Sequence, residues 1–292
     1  MAISTILAHN LPDTICGFFK AAKFVKINTE MKLITLLTDF TERDGYVGVM
    51  KGVILGIAPD AAIVDLSHDI PPQDVMQAAL LLGRSAPFFP EGSVHVCVVD
   101  PGVGTTRRGI IARLGGQFFV GPDNGLMTLL YNRALQDGGS VEVYRLENRE
   151  YQLSPLSHTF HGRDVFAPAS AHLVNGIALE SFGEPANDPV MLQFPEPLKT
   201  KDGWHGQVIH IDAFGNLACN LSVGQLANLS APNIRIKDQM IQTIKLTFGE
   251  GQPGELIAVI DSFGSLSLSV VNGSAAKSLG AKVGDSVYVV ND

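Results

Sequence analysis

The segment with the clearest chemical potential runs Val-Val-Asp-Pro-Gly-Val-Gly-Thr-Thr-Arg-Arg over residues 98–108. It places a carboxylate, Asp100, and a guanidinium, Arg107, on one tight loop, and Gly102 and Gly104 allow the backbone to approach a ligand closely. The loop is not a P-loop, because no Gly-Lys-Ser/Thr follows, and its glycine spacing differs from a dinucleotide-binding loop. An ion pair that only stabilises the loop explains the same residues, so both interpretations stay open.

A histidine stands beside a glycine in the segment Thr-Phe-His-Gly-Arg-Asp, residues 159–164, just before a predicted helix. His161 is therefore able to face a cavity. His158 and His161 have the spacing of two metal ligands, but no third ligand is nearby, which disfavours a metal site. A lone histidine is more often structural, and the sequence leaves that alternative open.

Three carboxylates follow predicted strands. In open parallel sheets, ligands bind outside the carboxyl ends of the strands, where Asp39, Asp65 and Asp100 are expected. An acid at a strand end can instead cap the next helix. Loops that contain glycine follow Asp39 and Asp100 and favour a functional role for these two, whereas Asp65 is interpreted as a cap.

The second half of the chain has three sharp turns of similar composition, at residues 212–216, 262–264 and 272–276. Each has the composition of an ordinary hairpin turn. None has the residues for catalysis, although together they could form a shelf for a ligand.

The elements that must position these residues follow an alternating pattern. Short apolar runs bounded by turn residues predict strands, and apolar residues at helical spacing predict helices between them. This order predicts an α/β fold with a mostly parallel sheet covered by helices. The predicted strands are 33–37, 62–66, 94–99, 110–114, 118–120 and 141–146, and the predicted helices are 46–57, 75–82, 124–135 and 164–174.

The composition then changes to a proline-rich stretch, which predicts a linker over residues 185–203. Short strands after it predict a smaller antiparallel, β-barrel-like domain. The predicted domains are an α/β catalytic domain at 31–184 and a β-rich substrate-binding domain at 204–292, with residues 1–30 as an extension without function. No internal repeat is evident. The strands predicted in the second domain are 208–211, 234–236, 244–248, 255–260, 265–271 and 287–290.

The bulk composition restricts the classes of function. The chain has 292 residues, 46% hydrophobic residues and a net charge of −8, which suits a globular protein and argues against binding to a nucleic-acid backbone. No apolar run is long enough for a membrane span, so no membrane partner is expected. The cysteines, Cys16, Cys97 and Cys219, are odd in number and far apart, which predicts buried thiols in the cytoplasm.

Taken in order, five segments resemble the S-adenosylmethionine hydroxide adenosyltransferases, which are related to fluorinases and chlorinases. The resemblance extends from Met31 to about Val290. The segments are Thr38-Asp39-Phe40, Asp100-Pro101-Gly102-Val103-Gly104, Pro122-Asp123-Asn124-Gly125, Phe160-His161-Gly162-Arg163-Asp164 and Phe214-Gly215-Asn216.

The resemblance implies that the protein hydrolyses S-adenosyl-L-methionine to adenosine and L-methionine by hydroxide attack at ribose C5′. Asp100, Arg107 and His161 match a triad that prepares the water, and Asp39 matches the carboxylate that binds the ribose hydroxyls. The remaining residues implied to bind substrate are Asp212, Phe214, Asn216, Ser262 and Ala275. Phe263 stands where some halide-using relatives have arginine, so no residue is assigned to the methionine carboxylate.

The same resemblance implies a homotrimer with its sites between subunits, and neither a cofactor nor a metal. Two alternatives remain. A halogenase of the same fold is disfavoured by the intact triad, and a non-catalytic protein that binds S-adenosylmethionine or a nucleoside would not need Arg107 or His161.

Overall fold

The computed structural model describes residues 32–227, 229 and 231–291, so Cys16 and the predicted extension lie outside the described residues. The described chain divides into two compact units, residues 32–193 and residues 194–291. The division falls within the segment predicted as a linker. Each unit is described by itself below, and they are called the α/β unit and the β unit.

The α/β unit contains a six-stranded sheet in the order β2-β1-β3-β5-β4-β6. Strands β2, β1, β3 and β5 are mutually parallel, whereas β4 runs antiparallel to both β5 and β6. This confirms the mostly parallel sheet. The strands are β1 (Leu33–Thr38), β2 (Ala62–Ser67), β3 (Val94–Val98), β4 (Gly109–Leu114), β5 (Gln117–Pro122) and β6 (Val141–Arg145).

Helices cover both faces of this sheet. Val47, Met50 and Ile54 recur at helical spacing in α1, and they pack with α4 in one core cluster, whereas α2 and α3 contribute to a second cluster. The edge strand β2 is more exposed than its apolar sequence predicts, since it has a neighbour on one side only. The helices are α1 (Tyr46–Ile57), α2 (Val75–Ser85), α3 (Thr128–Gln136) and α4 (Ala167–Val174).

Two helices begin later than the sequence predicts, and both differences affect the candidate site. The helix predicted from residue 124 begins at Thr128, because residues 123–127 form a turn closed by the Thr128 amide and the Gly125 carbonyl. The helix predicted from residue 164 is preceded by a π-helical turn, Gly162–Phe166, that is continuous with α4.

The β unit is built on a sheet in the order β11-β10-β15-β8-β9-β14-β13-β12, with β7 paired to β8. All neighbouring strands are antiparallel except β12 and β13. Residues from both ends of this order, such as Ile234 and Ala258, share one core cluster. A flat sheet would keep them apart, so the sheet curves into the predicted barrel-like form.

The sequence prediction missed strands β7, β9 and β11 of this unit, and it missed two short helices, α5 (Val223–Leu226) and α6 (Ala275–Leu279). The strands are β7 (Leu198–Lys199), β8 (Gly203–Ile211), β9 (Leu217–Ser222), β10 (Pro232–Ile236), β11 (Gln239–Ile241), β12 (Ile244–Lys245), β13 (Leu256–Ile260), β14 (Ser265–Val270) and β15 (Ser286–Asn291).

Two observations bear on the expectations from composition. Cys97 and Cys219 are buried free thiols. Within the described part of the chain, no helix combines the length and apolar character needed to cross a membrane.

Candidate active site

The carboxyl ends of β1 and β3 form the floor of a cleft in the α/β unit. These strands are parallel neighbours, so Asp39 and Asp100, which follow them, lie at the same edge of the sheet. The cleft has a volume of about 390 Å³, and its lining also includes His161. The structure therefore brings together Asp39, which the resemblance matches to ribose binding, with Asp100 and His161, two of the three residues that it matches to a triad.

Arg107 joins the other two members of the triad. Its Nε donates to Asp100 Oδ1 at 2.9 Å, and its Nη2 donates to Asp100 Oδ2, so the two side chains form a two-point ion pair. The same Nη2 is 2.7 Å from His161 Nδ1. The Asp100 side chain is 5% exposed and the Arg107 side chain is 12% exposed, so little water competes for these bonds. The guanidinium also lies 5.3 Å from the centre of the Phe166 ring.

The contact with Arg107 fixes the tautomer of His161. A guanidinium has only donors, so Nδ1 must accept, and a neutral ring then has its hydrogen on Nε2. The pKa of His161 lies below its ordinary value of 6.5, first because burial disfavours the charged ring and then because Arg107 is adjacent, whereas Asp100 opposes the shift. His161 is therefore a neutral ring at pH 7 that can donate a hydrogen bond from Nε2.

The loop between Asp100 and Arg107 is closely packed against the segment that contains His161. Gly104 has a φ of +76°, and a Cβ at this position would collide with the carbonyl oxygen of His158. Only glycine fits both requirements, which explains one of the two glycines that the sequence analysis singled out.

Asp39 is held in the cleft by one backbone hydrogen bond. Its Oδ2 accepts from the amide of Gln73 at 2.8 Å, which leaves Oδ1 for a ligand. Gln73 has a φ of +65°, in the left-handed region that a residue with a Cβ seldom adopts. Asp65, by contrast, pairs with Lys51 and with the buried His68, which is also bonded to Thr38 Oγ1 at 2.9 Å.

Three aromatic rings form one wall of the cleft. Phe40, Tyr46 and Phe160 contact one another edge to face, with ring centres 5.2 to 5.9 Å apart. A Cβ at Gly162 would lie 3.3 Å from Phe160 and 3.4 Å from Phe40, so glycine allows both rings to close over this position. The cluster links the residue after Asp39 to the residue before His161.

In the β unit, the turn between β8 and β9 closes on its own side chains. Asp212 Oδ1 accepts from the amides of Phe214 and Asn216 at 2.9 and 2.8 Å, and Oδ2 accepts from Asn216 Nδ2 at 2.8 Å. Phe214 is left 79% exposed. The Gly215 carbonyl accepts from the amide of Ala276, so the start of α6 with Ala275 packs beside this turn.

Ser262 lies on a second turn, between β13 and β14. Strand β14 pairs antiparallel with β9, with Ser265 opposite Ser222 and Leu268 opposite Leu217. Ser262 is therefore at the other end of the β9–β14 pair from Asn216. The structure groups Asp212, Phe214, Asn216 and Ala275 and places Ser262 apart from them.

Two family models match the chain. The SAM hydroxide adenosyltransferase N-terminal domain matches residues 34–183, and the SAM hydroxide adenosyltransferase C-terminal domain matches residues 206–288. The chain belongs to the SAM hydroxide adenosyltransferase family. The resemblance stated from five sequence segments is thereby confirmed.

Similar proteins give the same assignment. A Thermus thermophilus protein named (R)-S-adenosyl-L-methionine hydrolase is 39% identical over 89% of this chain and 100% of its own length. A Salinispora tropica protein of the same name is 37% identical over 88% of this chain and 97% of its own length. A fluorinase from Nocardia brasiliensis is more distant, at 28% identity over 90% of this chain and 98% of its own length. The crystal structure of an uncharacterized conserved protein from Thermotoga maritima superposes with a TM-score of 0.81 at 35% identity, covering 88% of this chain and 99% of that one.

Several residues of this family member line the cleft without having been predicted. Tyr46 was interpreted only as an apolar residue of α1, and Gln73 had no signal beyond the preceding Pro71-Pro72. Among the residues described, no group of three or more His, Cys, Asp or Glu side chains is arranged to hold a metal ion, so His158 and His161 do not belong to such a group.

Proposed function

We propose that the protein hydrolyses S-adenosylmethionine to adenosine and methionine, with hydroxide as the nucleophile at ribose C5′. The observation that supports this most directly is the chain of contacts from Asp100 through Arg107 to His161 beside Asp39 in one cleft. The named activity of the relatives supports the same reaction.

The reaction suits such a cleft. Hydroxide forms a bond to C5′ while the C5′–S bond breaks and its electron pair goes to sulfur, which leaves as a neutral thioether. No general acid is needed for the leaving group. Because a sulfonium cation and an anion become neutral products, a site with little water favours the reaction. The difficult part is to obtain hydroxide, since the pKa of bulk water is about 15.7.

We infer that His161 holds the nucleophile and does not deprotonate it while Arg107 stays in place. Its Nδ1 accepts from Arg107, and its Nε2 already has a hydrogen, so neither nitrogen is available as a base. The site instead takes up hydroxide from solvent, so the proton of the parent water stays in bulk water. Nε2–H donates to this hydroxide, and the positive charge of Arg107 stabilises the anion. Asp100 orients Arg107 through the two-point ion pair.

We further propose that the substrate is shared between subunits of a homotrimer, as the resemblance implies. Asp39 and the triad lie in residues 32–193, whereas the residues matched to adenine and methionine, Asn216 and Asp212 among them, lie in residues 194–291. The exposed ring of Phe214 suits an adenine pocket completed by another subunit. The buried free thiols Cys97 and Cys219 suit the cytoplasm.

Mixing two impaired variants tests the shared site, and light scattering tests the trimer. At subsaturating S-adenosylmethionine, where weaker binding slows Asn216→Ala, Arg107→Ala and Asn216→Ala subunits that are unfolded and refolded together should exceed the activity of either variant alone. No gain in mixed trimers would place the whole site within one subunit.

Product analysis after incubation with substrate tests the reaction itself. Because the relatives are named for the (R)-sulfonium epimer, the two epimers should be supplied separately, and we expect adenosine and methionine from the (R) epimer. We propose that neither metal nor cofactor takes part, so dialysis against a chelator should leave the rate unchanged. Restoration of a lost rate by a divalent ion would contradict this.

The same assay decides between the alternatives. A 5′-halogenated nucleoside formed in chloride or fluoride would indicate a halogenase, in line with the more distant fluorinase relatives. Binding of S-adenosylmethionine without any product would indicate a non-catalytic binding protein. Neither outcome is expected, because binding alone requires no contact between Arg107 and His161.

A further inference from the structure

The loop that bears Asp100 and Arg107 crosses over the end of another strand. It connects β3 to β4, but β5 lies between these two strands in the sheet. Strand β5 is parallel to β3 and ends at Pro122, which pairs with Gly109 at the start of β4. The two residues after β5, Asp123 and Asn124, therefore emerge directly beneath the loop. The sequence analysis singled out this segment, and the triad alone gives it no role.

Asn124 fastens the first end of the loop. Its Nδ2 donates to the carbonyl oxygen of Val99 at 2.9 Å, one residue before Asp100. Its own Oδ1 accepts from the amide of Leu126 at 3.4 Å, which orients the side chain. The start of the loop is thus tied to the end of β5 by an amide–carbonyl hydrogen bond.

Asp123 fastens the other end. Its Oδ2 accepts from Arg108 Nε at 2.8 Å, one residue after Arg107, and its backbone amide donates to the Arg108 carbonyl at 2.9 Å. Its Oδ1 accepts from the amide of Val190 at 2.8 Å. The Asp123 side chain is 1% exposed, so both oxygens are satisfied by protein alone.

Between these two ends the loop is supported by short-range bonds within itself. The Val103 amide bonds to the Asp100 carbonyl at 3.2 Å, and the amide and the hydroxyl of Thr105 both bond to the Gly102 carbonyl, at 3.2 and 2.6 Å. The Arg107 amide bonds in turn to Thr105 Oγ1 at 3.3 Å. Yet Arg107 Nη2 must reach Asp100 and His161 at once. A displacement of about 1 Å in such an arrangement is enough to cost on the order of a hundredfold in rate.

We propose that Asp123 and Asn124 are positioning residues, which anchor both ends of the loop and so hold Arg107 in contact with both Asp100 and His161. This inference rests on the proposed hydrolysis, and it gives a role in the reaction to two residues that do not line the cleft. Asp123 and Asn124 act through the loop and do not touch the reacting atoms.

The first test compares two asparagines with matched bonds. Asn148, like Asn124, donates from Nδ2 to a backbone carbonyl at 2.9 Å, that of Ser181, and accepts an amide two residues ahead on Oδ1. We expect Asn124→Ala to lower kcat about 10-fold to 100-fold, with the Kd of adenosine within about threefold of wild type. Asn148→Ala should lower Tm by about as much as Asn124→Ala does, but it should leave kcat within about twofold of wild type.

The second test reads the position of Arg107 without turnover. Asp123→Asn keeps the shape of the side chain and removes its charge. If Arg107 moves away, the pKa of His161 should rise towards 6.5, because the guanidinium is one cause of its depression; Asp100, Asp164 and His158 are the other charged or titratable groups that act on it. NMR of labelled histidine measures this, and His161→Gln identifies the signal among the 8 histidines.

The outcomes separate this inference from the proposed function. A wild-type protein that makes no adenosine refutes the hydrolysis, and the NMR titration still reports on the anchoring. Wild-type kcat and an unshifted His161 pKa in both folded variants would overturn the positioning role. If Asn124→Ala fails to fold, Asp123→Asn and its titration decide alone.

Discussion

The loop that bears Asp100 and Arg107 and the turn at residues 212–216 hold their charged side chains in opposite ways. In the loop, the partners come from far along the chain: Asn124 is 25 residues from Val99, and His161 is 54 residues from Arg107. In the turn, Asp212 bonds to residues two and four positions ahead. The geometry of the loop therefore depends on the sheet beneath it, whereas the turn needs only its own five residues.

A second copy of the turn supports this distinction. Residues 261–265 repeat the pattern Asp-x-Phe-Gly, and Asp261 Oδ1 accepts from the amides of Phe263 and Ser265, both at 2.9 Å. Gly215 and Gly264 have φ of +86° and +75°, respectively. The sequence analysis found no internal repeat and passed over this short one. A turn whose hydrogen bonds are all within its own five residues can recur at either end of a strand pair. A loop that depends on bonds to distant residues cannot recur in this way.

The largest effect should follow from breaking the long-range contacts of the loop that bears Asp100 and Arg107. We expect Arg107→Ala and His161→Ala to lower kcat by about 10² to 10⁴, with the affinity for S-adenosylmethionine little changed. Arg107→Lys should also be slow, because an ammonium cannot reproduce the planar fork that meets Asp100. Single-turnover assays and calorimetry measure the rate and the affinity.

The control for this series is Arg113→Ala, which removes an exposed arginine paired with Glu142 outside the cleft and should leave the rate unchanged. The loss of kcat in the double variant of Arg107 and His161 should be much smaller than the product of the two single losses, since both residues act on one hydroxide. If the affinity for S-adenosylmethionine is lost while kcat is preserved, the two residues bind the substrate and do not act on the nucleophile.

The next largest effect concerns the strand-end carboxylates of the same sheet. Asp39→Ala should lower kcat/KM about a hundredfold, because the ribose is no longer held with C5′ in line for attack. Asp65→Ala is the matched change at the neighbouring strand. Its carboxylate pairs with Lys51 and His68 and does not line the cleft, so the loss should be at least about tenfold smaller. Equal losses would mean that Asp39, too, is only structural.

A smaller effect tests whether the two similar turns differ in function. Asn216→Ala should weaken adenosine binding about tenfold, the equivalent of one hydrogen bond of about 1.4 kcal/mol, with kcat at saturation close to wild type. Ser265 occupies the same position in the second turn and bonds to Asp261 through its backbone amide. Ser265→Ala should therefore bind adenosine normally, and equal weakening by both changes would remove the distinction.

How far the sequence could predict the molecule follows from the same contrast. Apolar periodicity was sufficient for α1, whose prediction matches Tyr46–Ile57, and for the presence of strands β1, β2 and β3. It failed for β9, because Leu-Ala-Cys-Asn-Leu-Ser does not alternate between apolar and polar residues, and because the strand lies between the turn at residues 212–216 and the short helix α5. The triad was found through spacing and resemblance, but the reach of Asn124 to Val99 depends on β5 lying between β3 and β4, which no local pattern encodes.

The smallest expected effect is on the pH dependence of the rate, and it tests whether His161 acts as a neutral ring. Its depressed pKa keeps it neutral as pH falls through 6.5, and it gains a proton only as pH falls through the lower folded value. Down to pH 6.5 we therefore expect kcat/KM to fall only as the supply of hydroxide falls, by at most about tenfold per pH unit, and to fall more steeply below pH 6.5, where His161 gains its proton. The residual activity of Arg107→Ala should decline at higher pH than that of wild type, because one cause of the depression is gone.

Loss of the folded state must be separated from loss of catalysis in this experiment, and His95 shows where it will interfere. This ring is fully buried, bonded to Thr35 Oγ1 at 2.8 Å, and burial lowers its pKa to about 4. The unfolded chain takes up that proton near pH 6.5 and the folded chain only near 4, so the free energy of unfolding falls over this interval, by up to about 3 kcal/mol. Circular dichroism at each pH identifies the range in which the protein is still folded.

Within that range, His172→Gln should keep the wild-type pH profile. Burial lowers the pKa of His172 as well, but this ring does not line the cleft. A wild-type profile that falls more steeply than about tenfold per pH unit already above pH 6.5, with the fold intact, would contradict a neutral His161 held by Arg107.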